Sequence, residues 1–229
     1  MIPLGTLFNV LTVILGGSIG LFLKRYINPE LNKKVFFIIG LFTVVLGLNM
    51  SLKNIDFIVM LLSIVLGTLL GEWGNFSDKI SYFINKLKNK LNLRSDTFSE
   101  GIITAFFLFC VGSMTIVGAI DEGLGKSPTI LYTKSIMDGI SSIILASTLG
   151  VGVLFSVIPM IAFQGGITIL VFYYKDFFPL LLVDYFSSVG GVIIIALGLQ
   201  ILGYKHINPI NMLPSLFIVI LIYLLRFQL

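Results

Sequence analysis

The sequence predicts an all-α polytopic membrane protein, a bundle of about eight transmembrane helices, or seven if the short last one is discounted. Three observations predict it. Hydrophobic residues make up 57% of the 229-residue chain and charged residues 11%, against about 25% charge in soluble domains. Mean hydropathy is +1.05. Apolar runs long enough to cross a hydrocarbon layer of about 30 Å recur between short polar turns along the whole chain. The reading is a single transmembrane domain, 1–229, with a first set of spans (1–74), an amphipathic stretch (75–96), two central spans (97–150) and a last set (151–229).

The first span, residues 3–23, starts beside Met1 with neither a basic leader nor a small-residue cleavage site, so it reads as a retained helix. Gly16, Gly17 and Gly20 give it a flat strip for close packing. Lys24, Arg25, Lys33, Lys34 and Pro29 make the following linker a polar cytoplasmic turn. Spans two and three, Val35–Ser51 and Ile55–Glu72, meet at a tight turn around Lys53 and Asn54. Trp73, the sole tryptophan, then falls where an interfacial aromatic anchors a helix end.

From Asn75 to Asp96 the pattern changes. Phe76, Ile80, Phe83, Ile84, Leu87 and Leu91 recur at helical spacing among Lys79, Lys86, Lys88 and Lys90, which predicts an amphipathic helix lying on an anionic cytoplasmic leaflet. The fourth span, Thr97–Ile120, opens on a capping box of Thr97 and Glu100. It is interrupted at its centre by Gly112, Ser113 and Thr115.

A turn rich in glycine and acid, Asp121–Pro128, leads to the fifth span, Ile130–Leu149. There Lys134 and Asp138 stand four residues apart on one face. The sixth span contains Pro159, which lacks an N–H and frees the carbonyl of Phe155, followed by Gln164, Gly165 and Gly166. The seventh, Leu182–Leu202, carries Asp184 near its start and the pair Gly190 and Gly191. Met212–Leu225 is short for a last span.

Charge sets the orientation. Lys24, Arg25, Lys33, Lys34, Lys79, Lys86, Lys88, Lys90, Arg94 and Lys205 fall on one side of this topology; Lys53, Lys126, Lys134, Lys175 and Arg226 fall on the other. The richer side is cytoplasmic, which puts both termini outside. The net charge of +4 is thereby a topology signal, and no nucleic-acid partner is expected. One cysteine, Cys110, and one histidine, His206, cannot assemble a His/Cys metal cluster. Neither a nucleophile with its base nor an acid pair is in evidence, so no enzyme activity, cofactor or metal is expected.

GTLFNVLTVI from Gly5 matches GVLFSVIPMI from Gly152 at five of ten positions, and GLFTVVLGLNM from Gly40 matches GVIIIALGLQI from Gly191 at four of eleven. Spans one to three would thus correspond to spans six to eight, around spans four and five. An odd number of spans separates partners, so the repeat is inverted, the plan of many secondary transporters whose sites lie near the midplane on interrupted helices. Ionisable groups at such depth are costly and usually face a partner or a pathway.

The residues therefore point to a secondary transporter of a small solute or ion, with Lys134 and Asp138 as the coupling pair. Gly112, Ser113, Thr115, Gln164 and Gly165 would form the solute site. In the competing reading Lys134 snorkels to the span end and only neutralises Asp138. A channel formed by a homo-oligomer, or a non-transporting membrane interaction or assembly protein cued by the basic helix at 75–96, are the alternatives.

The run FxxGSMTxVGAxxxGL from Phe109 and LxxKSxxDGISSIxxASxLGVGVxFS from Leu131 to Ser156, with Gln164–Gly165, Gly190–Gly191, the LGLQILG segment from Leu197 and NMLPSL from Asn211, resemble the YqgA-type integral membrane family, domain of unknown function 554. The resemblance covers essentially the whole chain. It implies a prokaryotic inner-membrane protein, loosely suggested to be a transporter, with no established substrate. Asp184 stands where the resemblance implies a glutamate.

Overall fold

In the computed structural model the described residues are 2–26, 28–52, 56–93, 95–174, 179–204 and 207–227; for Pro29, Asn32, Ser113, Leu180 and Phe227 only the backbone is described. The expected turn at Lys53 and Asn54, and Arg94, Lys175, Lys205 and His206, lie outside them. Among the described residues the chain is all helical. Four helical stretches are long and apolar enough to cross a membrane: Leu4–Tyr26, Lys33–Ser51, Gly152–Tyr173 and Leu181–Ile201. The total rises to six if each of two bent pairs is one span. The helices are α1 (Leu4–Leu23), α2 (Pro29–Ser51), α3 (Phe57–Trp73), α4 (Phe76–Lys90), α5 (Phe98–Cys110), α6 (Ser113–Gly123), α7 (Thr129–Leu149), α8 (Gly152–Phe155), α9 (Val157–Met160), α10 (Gly166–Tyr173), α11 (Leu180–Ile201) and α12 (Ser215–Phe227). Helix is thus found at each of the eight predicted places; α12 falls short in length, and α7 in apolarity.

The chain divides into two compact units. The first comprises residues 1–35 and 94–179, the second 36–93 and 180–229. In the first unit α1 packs along α7 with backbones nearly touching. A Cβ on Gly16 would stand 2.0 Å from the Gly139 carbonyl oxygen, and one on Gly20 2.3 Å from that of Ile143. With no hydrophobic force between helices in lipid, such close approach supplies the dispersion contact that holds them. The glycine strip read from the sequence is this seam. α8 meets α5 in the same way, since a Cβ on Gly152 would stand 2.2 Å from the Phe98 carbonyl oxygen. Gly150, at φ 79°, makes the sharp turn from α7 into α8 that these two seams require.

Three expectations are corrected in this unit. Thr97 precedes α5 but does not cap it: its hydroxyl donates to the Leu149 carbonyl at 2.6 Å, one of the last carbonyls of α7, which lack partners within their own helix. The acidic turn is not all loop, because α6 continues to Gly123 and buries Glu122, 3% exposed. Pro159 does not break the sixth span outright. The helix runs through it and continues into a π-helical turn at Ile161–Gly165, a local widening of a kind that recurs at functional sites.

In the second unit α2 packs on α11 and α3 on α12, again through glycines. A Cβ on Gly71 would stand 1.9 Å from the Asn211 carbonyl oxygen and one on Gly67 2.3 Å from Ser215. The amphipathic α4 forms as expected, bent by 59° from α3. It buries Ile84 and leaves Tyr82 and Phe83 exposed, and its Ser77 N–H donates to Asn211 Oδ1 at 2.7 Å. At the rim of this unit Arg226, in the last turn of α12, pairs with Asp56, whose carboxylate caps α3 by accepting the Ile58 N–H. The guanidinium, then the capped N–H, hold the Asp56 carboxyl below its ordinary value.

Candidate functional site

The site lies in the first unit, where three helical segments bring polar groups to one another. Asp138, at the centre of α7, and Lys134, one turn earlier, are both nearly fully buried, at 4% and 7% exposed. Lys134 Nζ donates to Asp138 Oδ1 at 2.6 Å and Oδ2 at 2.7 Å. It does not snorkel to the span end. It turns along the helix to the carboxylate, and lies 5.9 Å from the centre of the Phe109 ring on α5. Asn9 of α1 donates from Nδ2 both to Asp138 Oδ2, at 3.0 Å, and to Gln164 Oε1, at 3.1 Å.

These bonds have a direction. A carboxylate can only accept, so the Asn9 amide must present its NH2 to Asp138. The same NH2 then obliges Gln164 to offer its oxygen. The chain of bonds therefore runs from Lys134 to Asp138, and from Asn9 to both Asp138 and Gln164, and ends in two amide atoms. Gln164 Nε2 and Asn9 Oδ1 are buried and have no partner among the described residues, and the same holds for Thr6 Oγ1, one turn before Asn9. Orphaned buried polar atoms are costly and mark places needing a physical account.

The fourth span breaks beside this chain. α5 and α6 are bent by 62° at Val111 and Gly112, Gly112 being extended at ψ 144°. Thr115 closes the break by donating its hydroxyl to the Phe109 carbonyl at 2.6 Å, and Gly112 O receives the Thr115 and Ile116 N–H groups. Gly112, at the N-cap of α6, has no side chain with which to cap it. A Cβ on Gly112 would have Lys134 Cε, at 3.8 Å, as its nearest neighbour, so the lysine stem passes alongside the open turn. The side chain of Ser113 lies outside the described residues. Gly165 faces Thr6 and Pro3 with room for a methyl group, and a Cβ on Gly166 would meet nothing within 4 Å.

A second polar contact ties the other end of α6 into the unit. Glu122 Oε1 accepts the Gly5 N–H at 2.7 Å, and Oε2 receives the Thr168 hydroxyl at 3.4 Å. Gly5 is in the first turn of α1, where N–H groups have no helical partner and negative charge is favoured. Of the residues singled out from the sequence, Lys134, Asp138 and Gln164 are in one connected chain, Gly112 borders it, Thr115 secures the adjacent break and Gly165 lines the same helix as Gln164. Asn9, Thr6, Glu122 and Thr168 were not singled out. An asparagine within an apolar span on the same face as Gly16 and Gly20 is a legible signal; Glu122 carried none, since it reads as loop.

The fold and this cluster define a membrane-embedded helical protein with a polar centre enclosed by its helices. The chain belongs to the family described as protein of unknown function (DUF554), whose model matches residues 4–224. It is 34% identical over 93% of both chains to the "Uncharacterized membrane protein YdfK" of Bacillus subtilis. It is 29% identical, again over 93% of each, to the "Uncharacterized protein YqgA" of Escherichia coli. No solved structure matches the chain significantly.

Proposed function

We propose that the protein is a secondary transporter of a small solute or ion in the prokaryotic cell membrane, with eight spans and both termini outside. The observation that carries this reading is the buried chain Lys134–Asp138–Asn9–Gln164. An ion pair serving stability alone is a poor use of a membrane interior, because desolvation offsets most of its attraction. A pair whose carboxylate also receives an amide, beside a broken helix, fits a coupling site. The Lys134–Asp138 pair is the coupling element, and Gly112, Ser113, Thr115, Gln164 and Gly165, with Asn9, form the solute site. The activity is transport without catalysis or a cofactor.

An inverted repeat of spans one to three and six to eight is part of the proposal, and two features support it. Spans one and six fall in the first unit and spans two, three, seven and eight in the second, so each repeat divides in the same way. In the second unit Gly47 approaches Gly191 and Gly198 approaches Gly40: the added Cβ atoms would stand 2.6 and 2.9 Å from the opposing carbonyl oxygens. The repeat equates Gly40 with Gly191 and Gly47 with Gly198, so exchanging the repeats turns one contact into the other.

Accessibility tests the reading without knowledge of the solute. In a Cys110→Ala background, Gly112→Cys introduces a thiol where a side chain has room. A transporter exposes it to an impermeant thiol reagent from either side of the membrane in turn. Protection from both sides, in cells and in inverted vesicles, contradicts transport through this site. Asn89→Cys labelled from outside intact cells overturns the orientation.

A further inference from the structure

We infer that the ligand of the polar chain is a small monocarboxylate bearing a hydroxyl on the carbon next to the carboxylate, bound together with one proton on Asp138. This rests on reading the cluster as the solute site and names the class of solute.

The unpaired groups choose the chemistry. Gln164 Nε2 offers N–H donors with no partner among the described residues, and the residue is fully buried. Gln164 also lies at the level of the α5–α6 break. Phe106, before the break, packs on Phe163 with ring centres 5.8 Å apart, and Glu122, after it, reaches Thr168; the break and Gln164 are bracketed by the same two contacts. α6 starts there on Gly112, which has no side chain to cap it, with the Lys134 stem alongside. Amide N–H, helix N-terminus and ammonium are all complementary to an oxyanion. The adjoining Asn9 Oδ1 is the opposite: a buried acceptor without a partner, which asks for a donor on the same ligand. A hydroxyl next to a carboxylate supplies both. Beside the chain there is room for a methyl group at Gly112 and at Gly165, where the nearest atoms to an added Cβ stand at 3.7–3.8 Å.

Charge requires the proton. Lys134 and Asp138 neutralise one another, so a bound carboxylate would leave an uncompensated charge in a low-dielectric interior. If Asp138 takes a proton, its attraction for Lys134 falls to that of a neutral acceptor, and the ammonium turns to the ligand. The occupied site is then neutral: one cation, one anion. Among the described residues the titratable groups facing Asp138 are Lys134 on its own helix and Cys110 on α5, while Glu122 at the far end of α6 faces Gly5 and Thr168; α1 and the π turn contribute the neutral Asn9 and Gln164.

Titration calorimetry on the purified full chain in nanodiscs, with lactate, propionate and lactamide as probes, tests this. Lactate is expected to bind more tightly at about pH 5.5 than at about pH 7.5, by up to about tenfold per pH unit. Propionate, lacking the hydroxyl, and lactamide, lacking the charge, are each expected to bind about tenfold or more weakly. Asp138→Asn should bind lactate with an affinity that no longer depends on pH, and Gln164→Leu should lose about tenfold or more, while circular dichroism reports both variants folded. Propionate binding as well as lactate, wild-type binding insensitive to pH, or no lactate binding at all each overturns the inference. If Gly112→Cys still alternates in accessibility when lactate does not bind, the transport reading stands and the solute class is wrong.

Discussion

The two units bury their polar groups differently. In the second, hydroxyls bond singly to backbone carbonyls: Thr43 donates to the Ile39 carbonyl and Ser63 to that of Val59, each one turn back on its own helix, while Ser188 and Ser215 reach the Met50 and Ile64 carbonyls of a neighbouring helix. Its helices also approach backbone to backbone at Gly47, Gly67, Gly71 and Gly191. The first unit has such a seam too, between α1 and α7, but it also joins Lys134, Asp138, Asn9 and Gln164 across three helical segments. Hydroxyl-to-carbonyl bonds fix a packed seam, whereas a chain of charged and amide side chains makes an arrangement that a proton or a ligand can change. The difference is the reason the proposed site is assigned to the first unit.

The largest effect expected is from splitting the ion pair. Lys134→Met leaves a buried carboxylate without its cation and should destabilise the protein by about 3–5 kcal/mol, with much of that recovered in the Lys134→Met/Asp138→Leu double variant. Unfolding in mixed micelles measures both. Recovery in stability without recovery in transport would separate the two roles of the pair.

Overpacking comes next. Gly71→Ala places a methyl 1.9 Å from a carbonyl oxygen and should cost about 3 kcal/mol or more. Gly166→Ala, in open space, should cost nothing measurable in the same assay. Equal losses at both positions would erase the contrast between a packed seam and an open position.

Asn9→Leu removes the donor that links Asp138 to Gln164 and leaves two acceptors short of a partner, for about 1–3 kcal/mol. The double variant with Gln164→Leu should cost less than the sum of the single changes, since the two amides share one bond.

The smallest effect is at the rim of the second unit. The Asp56 carboxyl is held below an ordinary value of 3.8 by Arg226 and by the Ile58 N–H. A carboxyl lowered on folding stabilises the protein above its unfolded value and loses that contribution as pH falls toward the folded one. Arg226→Gln should therefore weaken stability slightly at neutral pH and flatten its decline below about pH 4. A decline unchanged in the variant would assign the acid sensitivity elsewhere.

How much was legible follows the range of the signal. Gly112 and Pro159 are read from the chain itself, because a residue without a side chain and one without an N–H act on their own helix. The break at Gly112 came where expected. Pro159 did not end the helix, which continues past it into the π turn at Ile161–Gly165. Thr97 was misread because the capping signature is local, whereas its actual acceptor, the Leu149 carbonyl, comes from another helix. Glu122 was misread for the same reason: its partner, the Gly5 N–H, lies at the other end of the unit in sequence.

The sequence by itself determined that this is a helical membrane protein, where its helices lie, and that Lys134 and Asp138 share a face, since hydropathy and helical period are properties of a single segment. Only the tertiary structure decided that Asn9 joins them to Gln164, that Lys134 turns inward, and that two amide atoms are left over. Hydrogen bonding between helices depends on which faces meet, and in a chain this apolar many faces could have met; the glycine seams, through their close approach, selected these.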